Sequence, residues 1–108
     1  MRKIKFRIWD KINRMWFKRF NVNLLNIGDL QNVEMMQYTG IKDKNDNEIY
    51  EGDIVKDVSD GIAGYIEYSD GGYEIIYDNI AEKLNADEAS CVEIMGNIFE
   101  NPELLGED

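Results

Sequence analysis

Residues 38–55 read Tyr-Thr-Gly-Ile-Lys-Asp-Lys-Asn-Asp-Asn-Glu-Ile-Tyr-Glu-Gly-Asp-Ile-Val and bring turn formers, carboxylates and two strand starts together. Gly40 supplies a backbone position with φ > 0, and residues 43–47 are a run whose side chains hydrogen-bond their own backbone in turns. The chain therefore reverses there, and a hairpin follows. Glu51-Gly52-Asp53 then makes a tight turn into a second strand, with Ile54, Lys56 and Val58 on one face and Val55 and Asp57 on the other. A Gly-Asp pair ahead of such a strand suits a small SH3-like β-barrel.

The same stretch carries the start of a calcium loop, with Asp43, Asn45 and Asn47 at alternating positions. A loop of the EF-hand type also needs Gly at its sixth position for the sharp bend and a bidentate Glu at its twelfth. Those positions hold Glu48 and Ile54, and neither flank reads as a long amphipathic helix. The stretch is expected to be a solvated turn, without metal.

Toward the N-terminus, Ile4, Phe6 and Ile8 alternate with Lys3, Lys5, Arg7 and Trp9, which predicts a strand with one apolar and one basic face. Residues 10–13 turn the chain, and Met15 and Phe17 oppose Trp16, Lys18 and Phe20 in a returning strand. Basic residues interleaved with Trp9, Trp16 and Phe20 suit single-stranded nucleic acid, with rings on bases and cations on phosphates. They equally suit cross-strand ring pairs overlaid by the stems of Lys and Arg. The second use is expected, because the acidic field of the whole chain repels a polyanion. Residues 21–34 read as an Asn-rich loop with a short strand at 22–25.

Toward the C-terminus, Tyr65-Ile66-Glu67-Tyr68-Ser69 and Tyr73-Glu74-Ile75-Ile76-Tyr77 flank Asp70-Gly71-Gly72, a hairpin whose glycines allow the turn. Residues 79–89 read as one short helix, with Asn79 as cap, Glu82 completing the capping box and Ile80 and Leu84 sharing a face. Residues 91–95 are a last strand in which Cys91 is a small buried thiol. Asn101, Pro102, Glu103 and Gly106 mark a closing helical turn, with Leu104 and Leu105 locking it onto the barrel.

Four segments carry a resemblance. Gln37-Tyr38-Thr39-Gly40-Ile41-Lys42-Asp43-Lys44-Asn45 is followed by Glu48-Ile49-Tyr50-Glu51-Gly52-Asp53-Ile54-Val55. An opening Lys5-Phe6-Arg7-Ile8-Trp9-Asp10 and a closing Gly96-Asn97-Ile98-Phe99-Glu100-Asn101-Pro102-Glu103-Leu104-Leu105 stand in the matching order. Together they resemble the YopX family of bacteriophage and prophage proteins, while residues 21–36 and 57–93 do so only loosely. The resemblance implies a phage origin and a cytoplasmic setting in a bacterial host, and it supplies no catalytic residues.

A chain of 108 residues with 44% hydrophobic content suits one globular domain. No apolar run approaches the roughly 20 residues that cross a bilayer, so no membrane contact is expected. A lone cysteine agrees with a reducing compartment. Charge is divided unevenly: residues 1–20 hold eight cations against Asp10, net +7, which leaves −17 for the rest of a chain whose total is −10.

The expected fold is mainly β: an N-terminal β-hairpin over residues 1–20, a small SH3-like β-barrel over 36–96, and a C-terminal turn over 97–108, with one or two short helical turns near the C-terminus. Trp9, Tyr38, Ile54, Val55, Ile66, Ile75 and Ile94 are the expected buried positions. No enzyme is expected, because the chain has no His and no Gly-rich phosphate loop, and Ser59, Ser69 and Ser90 lack an evident base. The spacing of Glu51 and Asp53 arises by chance among 22 acids, and no cofactor is implied. The expected function is a non-catalytic protein-interaction or self-assembling module. Lys5, Arg7, Trp16, Lys18, Phe20, Tyr65, Tyr68, Tyr73 and Tyr77 form its candidate surface. The partner is a second copy, the basic hairpin of one subunit meeting an acidic aromatic face of another, or a host or phage protein. Nucleic-acid binding through the hairpin is the alternative.

Overall fold

Asp43 does more than turn the chain. Its Oδ1 accepts the backbone N–H groups of Asn45 and Asn47, both at 2.9 Å, and Asp46 takes φ 67°. This reverses β3 (Val33–Lys42) into β4 (Glu48–Tyr50). The second oxygen accepts the N–H of Ile94 at 2.9 Å, on the distant strand β9 (Val92–Asn97), and the N–H of Lys44 donates to the Val92 carbonyl at 3.0 Å. A carboxylate only 6% exposed and holding three N–H groups joins two sheets and has little capacity left for a cation.

The computed structural model describes residues 4–17, 32–78 and 80–106. Lys18 and Phe20, the strand expected at 22–25 and the cap expected at Asn79 lie outside them. The other strands are β1 (Phe6–Asp10), β2 (Met15–Trp16), β5 (Asp53–Asp57), β6 (Ala63–Ser69), β7 (Gly72–Tyr77) and β8 (Ile80–Lys83). One sheet runs β2-β1-β3-β4 and a second β8-β7-β6-β5-β9, the strand pairs all antiparallel. The architecture is mainly β, with the larger sheet curled into a half-barrel.

The core lies inside that curl, where Val55, Ile66, Tyr73, Ile75, Leu84 and Val92 pack against Ile49 of β4 and Ala89. Ile54 and Val55 point to opposite faces of β5 and both are fully buried, because β5 is flanked by β6 and β9 and covered on both sides. Asp70 and Gly71 take φ 50° and 82°, the mirror-image turn that an Asp-Gly pair supplies to a two-residue hairpin.

Four expectations are corrected. The helix read over 79–89 is largely strand: β8 pairs with β7 from Tyr77↔Ile80 to Glu74↔Lys83. The helix α1 is confined to Ala86–Ala89, where the Oδ1 of Asn85 accepts the N–H of Glu88 at 2.8 Å. An Asn followed three residues later by Glu occurs at both 79/82 and 85/88. Asp78, with φ 53°, turns the chain tightly and sends residues 80–83 back along β7. Cys91 is exposed rather than buried, because it precedes β9 and Val92 takes the inward position.

The third correction concerns β3, which begins at Val33 inside the stretch read as loop and extends for ten residues. Gly40, at φ 87°, lies within it where the register to β4 shifts, so this glycine makes a bulge and the reversal comes later. The fourth concerns Asn101, which makes no side-chain cap to the closing 3-10 turn Pro102–Leu105 and instead accepts the N–H of Asn97 at 3.2 Å. Ile94 is half-buried against the core, whereas the other six expected positions are buried.

Candidate interaction surface

The alternation of β1 sets the surface, with an outcome opposite to the simplest expectation. Lys5, Arg7 and Trp9 point toward the half-barrel, and Ile4 and Phe6 point outward with 70% and 46% exposure. The reason is that the inward side offers carboxylates and rings. Arg7 Nη2 donates to Asp53 Oδ1 at 2.6 Å and to the Glu51 carbonyl at 3.4 Å. Its guanidinium lies between the rings of Trp16 and Tyr50, at 4.6 and 4.8 Å. The second oxygen of Asp53 accepts the Tyr50 N–H at 2.7 Å. Burial pushes the Asp53 carboxyl above the usual carboxylate range, while Arg7 and the Tyr50 N–H pull it back down.

Lys5 repeats the arrangement nearer the edge, 2.8 Å from Glu48 and over the ring of Tyr38. Trp16 meets Trp9 edge-on at 4.9 Å and donates its indole N–H to Glu100 at 3.2 Å. Arg14 donates to the Phe99 carbonyl at 3.1 Å. Glu100 is itself placed by Asn97, whose Nδ2 donates to it at 2.7 Å and whose Oδ1 accepts the N–H groups of Phe99 and Glu100. The opening, central and closing blocks that carry the family resemblance thus converge on one seam between the two sheets. Lys5 and Arg7 are paired there with carboxylates of their own chain.

The outward side of this sheet is apolar. The register places Ile8 opposite Met35, Phe6 opposite Gln37 and Asp10 opposite Met15, all on one face. Met15 is 55% and Met35 46% exposed, around a buried Ile8.

The four candidate tyrosines do not form one surface. Tyr73 belongs to the core, with Tyr68 edge-on to it at 5.2 Å and 52% exposed. Tyr77 shares their face, whereas Tyr65 lies on the opposite one. Among the described residues the buried Tyr77 hydroxyl has no hydrogen-bond partner, and burial together with Glu88, Asp57, Glu82 and Asp60 pushes its pKa up.

Glu88 is raised above 4.5, first by burial and then by the charge of Glu82. Its protonated form is therefore favoured by folding, a contribution present below 4.5 and lost as pH rises through the raised value. Glu88→Gln is expected to raise the melting temperature at neutral pH, with the gain fading as pH falls toward 4.5. Thermal denaturation across a pH series checks this, and an equal gain at all pH values would contradict it.

A groove opens along the seam on the Tyr65 side. Met36, Tyr65 and Phe99 line it, with Glu34, Glu51 and Glu67 also in its walls. Sequence reasoning singled out Tyr65, set Glu51 aside as chance spacing and missed Glu34 and Glu67. Glu67, two residues from Tyr65 on the same strand face, was the available signal.

A family model described as YopX protein matches residues 21–106. No curated protein matches the chain. A crystal structure of protein EF1440 from Enterococcus faecalis is similar in fold, with a TM-score of 0.70 at 24% identity, covering 95% of this chain and 98% of that one.

Proposed function

The chain belongs to the YopX family, and from that premise we propose that it is a non-catalytic interaction module that self-assembles through the outer face of its N-terminal sheet. The observation that carries this is the exposure of Ile4, Phe6, Met15 and Met35 on one side of β1, β2 and β3. Scattered apolar residues on a surface are ordinary, whereas several large ones on a single sheet face mark a contact. Among the described strand residues the register places a single charge, Asp10, on this face, so two acidic chains approach there with less repulsion than elsewhere. Lys5 and Arg7, which nucleic-acid binding by the hairpin would need for phosphates, already face carboxylates of their own chain. The same reading takes the protein as phage- or prophage-encoded and cytoplasmic, and it has a single cysteine. Among the described residues no helix is long and apolar enough to cross a membrane.

Light scattering at micromolar protein and moderate salt is expected to report an oligomer. Phe6→Asp is expected to weaken association by about tenfold or more, since burying one large apolar side chain contributes about 1.5–3 kcal/mol. A monomeric wild-type protein would refute the proposal.

A further inference from the structure

The groove along the seam combines an apolar floor with a carboxylate rim, and we propose that it receives an arginine or lysine side chain from an extended basic segment of another protein. It has a volume of about 170 Å³, suited to one long side chain rather than a folded ligand. Met36, Tyr65 and Phe99 offer surface for a methylene stem and ring faces for a cation. Glu34, Glu51 and Glu67 supply the negative charge.

These carboxylates differ in how far they are engaged. Glu34 meets Lys11 at 3.3 Å, with both side chains more than 40% exposed. Among the described residues the Glu51 carboxylate accepts only the N–H of Gln37, at 3.3 Å. Among the described residues Glu67 makes no ion pair or hydrogen bond, and its cross-strand partner is another carboxylate, Glu74. The other cross-strand neighbour of Glu74 is Lys83, so within this row Glu67 is the carboxylate left for an incoming cation.

A small divalent ion is a poorer occupant than a cation on a stem. Among the described residues no three carboxylate, thiol or imidazole groups are grouped to hold a metal. The molecule already shows the proposed chemistry in closed form, since Arg7 lies between two rings and pairs with Asp53. The groove presents rings and carboxylates of the same kind with the cation's place open. Complementarity of charge favours a basic protein segment over an acidic or neutral one for a chain of net charge −10.

The test titrates the full chain with a short fluorescent oligo-arginine peptide at moderate salt. Glu67→Gln and Glu51→Gln are each expected to weaken binding about tenfold, the range for removing one hydrogen bond to a charged group. The control is Asp70→Asn, which removes the same charge at the exposed tip of the β6–β7 turn, where Asn tolerates the φ of 50°. It is expected to weaken binding less than about twofold, as for distant exposed charges. Amide shifts of Gly52 and Phe99 on titration place the peptide in the groove, and unchanged melting curves confirm that the variants fold. Equal weakening by all three substitutions would mean a general acidic field and overturn the proposal, as would no binding. A change in oligomeric mass on Glu67→Gln would assign the groove to a second copy and also overturn it. Self-assembly is read separately, through Phe6→Asp.

Discussion

Arg7→Met lowers the stability of the protein at neutral pH by about 3–5 kcal/mol, the cost of leaving one member of a buried ion pair without the other. Asp53 sets this size, because its side chain is 3% exposed against 23% for Arg7. Once the guanidinium is gone, the carboxylate keeps one hydrogen bond among the described residues, from the Tyr50 N–H, in surroundings that already raise its pKa above 3.8. Its folded pKa then rises further, because Arg7 was among the groups holding it down. A carboxyl with a raised folded pKa contributes most below its unfolded value and loses that contribution as pH rises through the folded one. The deficit of the variant should therefore be smallest near pH 3.8 and grow toward neutral. Adding Asp53→Asn should recover at least about 1 kcal/mol at neutral pH, because the residues share one network and their effects do not add. Urea denaturation across a pH series measures all three quantities. A deficit that is constant with pH, or greatest in acid, would show that the Arg7–Asp53 contact does not operate as an ion pair.

That contact also marks the limit of what the amino-acid order made legible. Strand β1 was readable from its alternation, and the β6–β7 hairpin from Asp70-Gly71 between two aromatic runs. The turn at Asp43 was readable because residues 43–47 are turn formers. Which face of β1 points inward was not readable. Alternation gives two faces, and the usual assignment sends the apolar one to the core. Here Lys5 and Arg7 find Glu48 and Asp53 more than 40 positions away in the chain, a pairing that no local pattern contains. The residues 79–89 misled for a different reason. The spacing of Ile80 and Leu84 fits a helix, and only the tight turn at Asp78 makes the same residues an edge strand. Glu34, Glu51 and Glu67 look like ordinary surface acids until two separate strands and a turn bring them to one groove.

The seam explains how a half-barrel and a small outer sheet hold together as one structure. Pairing of β1 with β3, the Arg7–Asp53 ion pair and the Trp16–Glu100 hydrogen bond each tie residues distant in the chain. The outer apolar side chains of β1 stay exposed because Lys5, Arg7 and Trp9 take the inward side, against carboxylates and rings. The proposed self-assembly uses the outer face of β1, and the seam uses its inner face.

Trp9→Ala tests the seam through packing rather than charge. The indole is 2% exposed, edge-on to Trp16 at 4.9 Å and stacked near Phe99 at 6.4 Å. Truncating a buried ring of this kind costs about 3–5 kcal/mol, from lost transfer energy and the cavity left behind. For a domain of this size the melting temperature should fall by about 15 °C. Ile75→Ala in the half-barrel should cost a comparable amount, so magnitude alone cannot locate the effect. Hydrogen exchange can. Loss of Trp9 weakens the attachment of β1 and β2 before it weakens the larger sheet, so amides bonded between β1 and β3 should exchange faster while those of the β6–β7 hairpin keep most of their protection. Trp16, then the only tryptophan, should shift its emission to longer wavelength as its edge contact is replaced by water. Loss of protection spread evenly over both sheets would mean that the seam is no separate cooperative unit, and that the N-terminal sheet and the half-barrel open together.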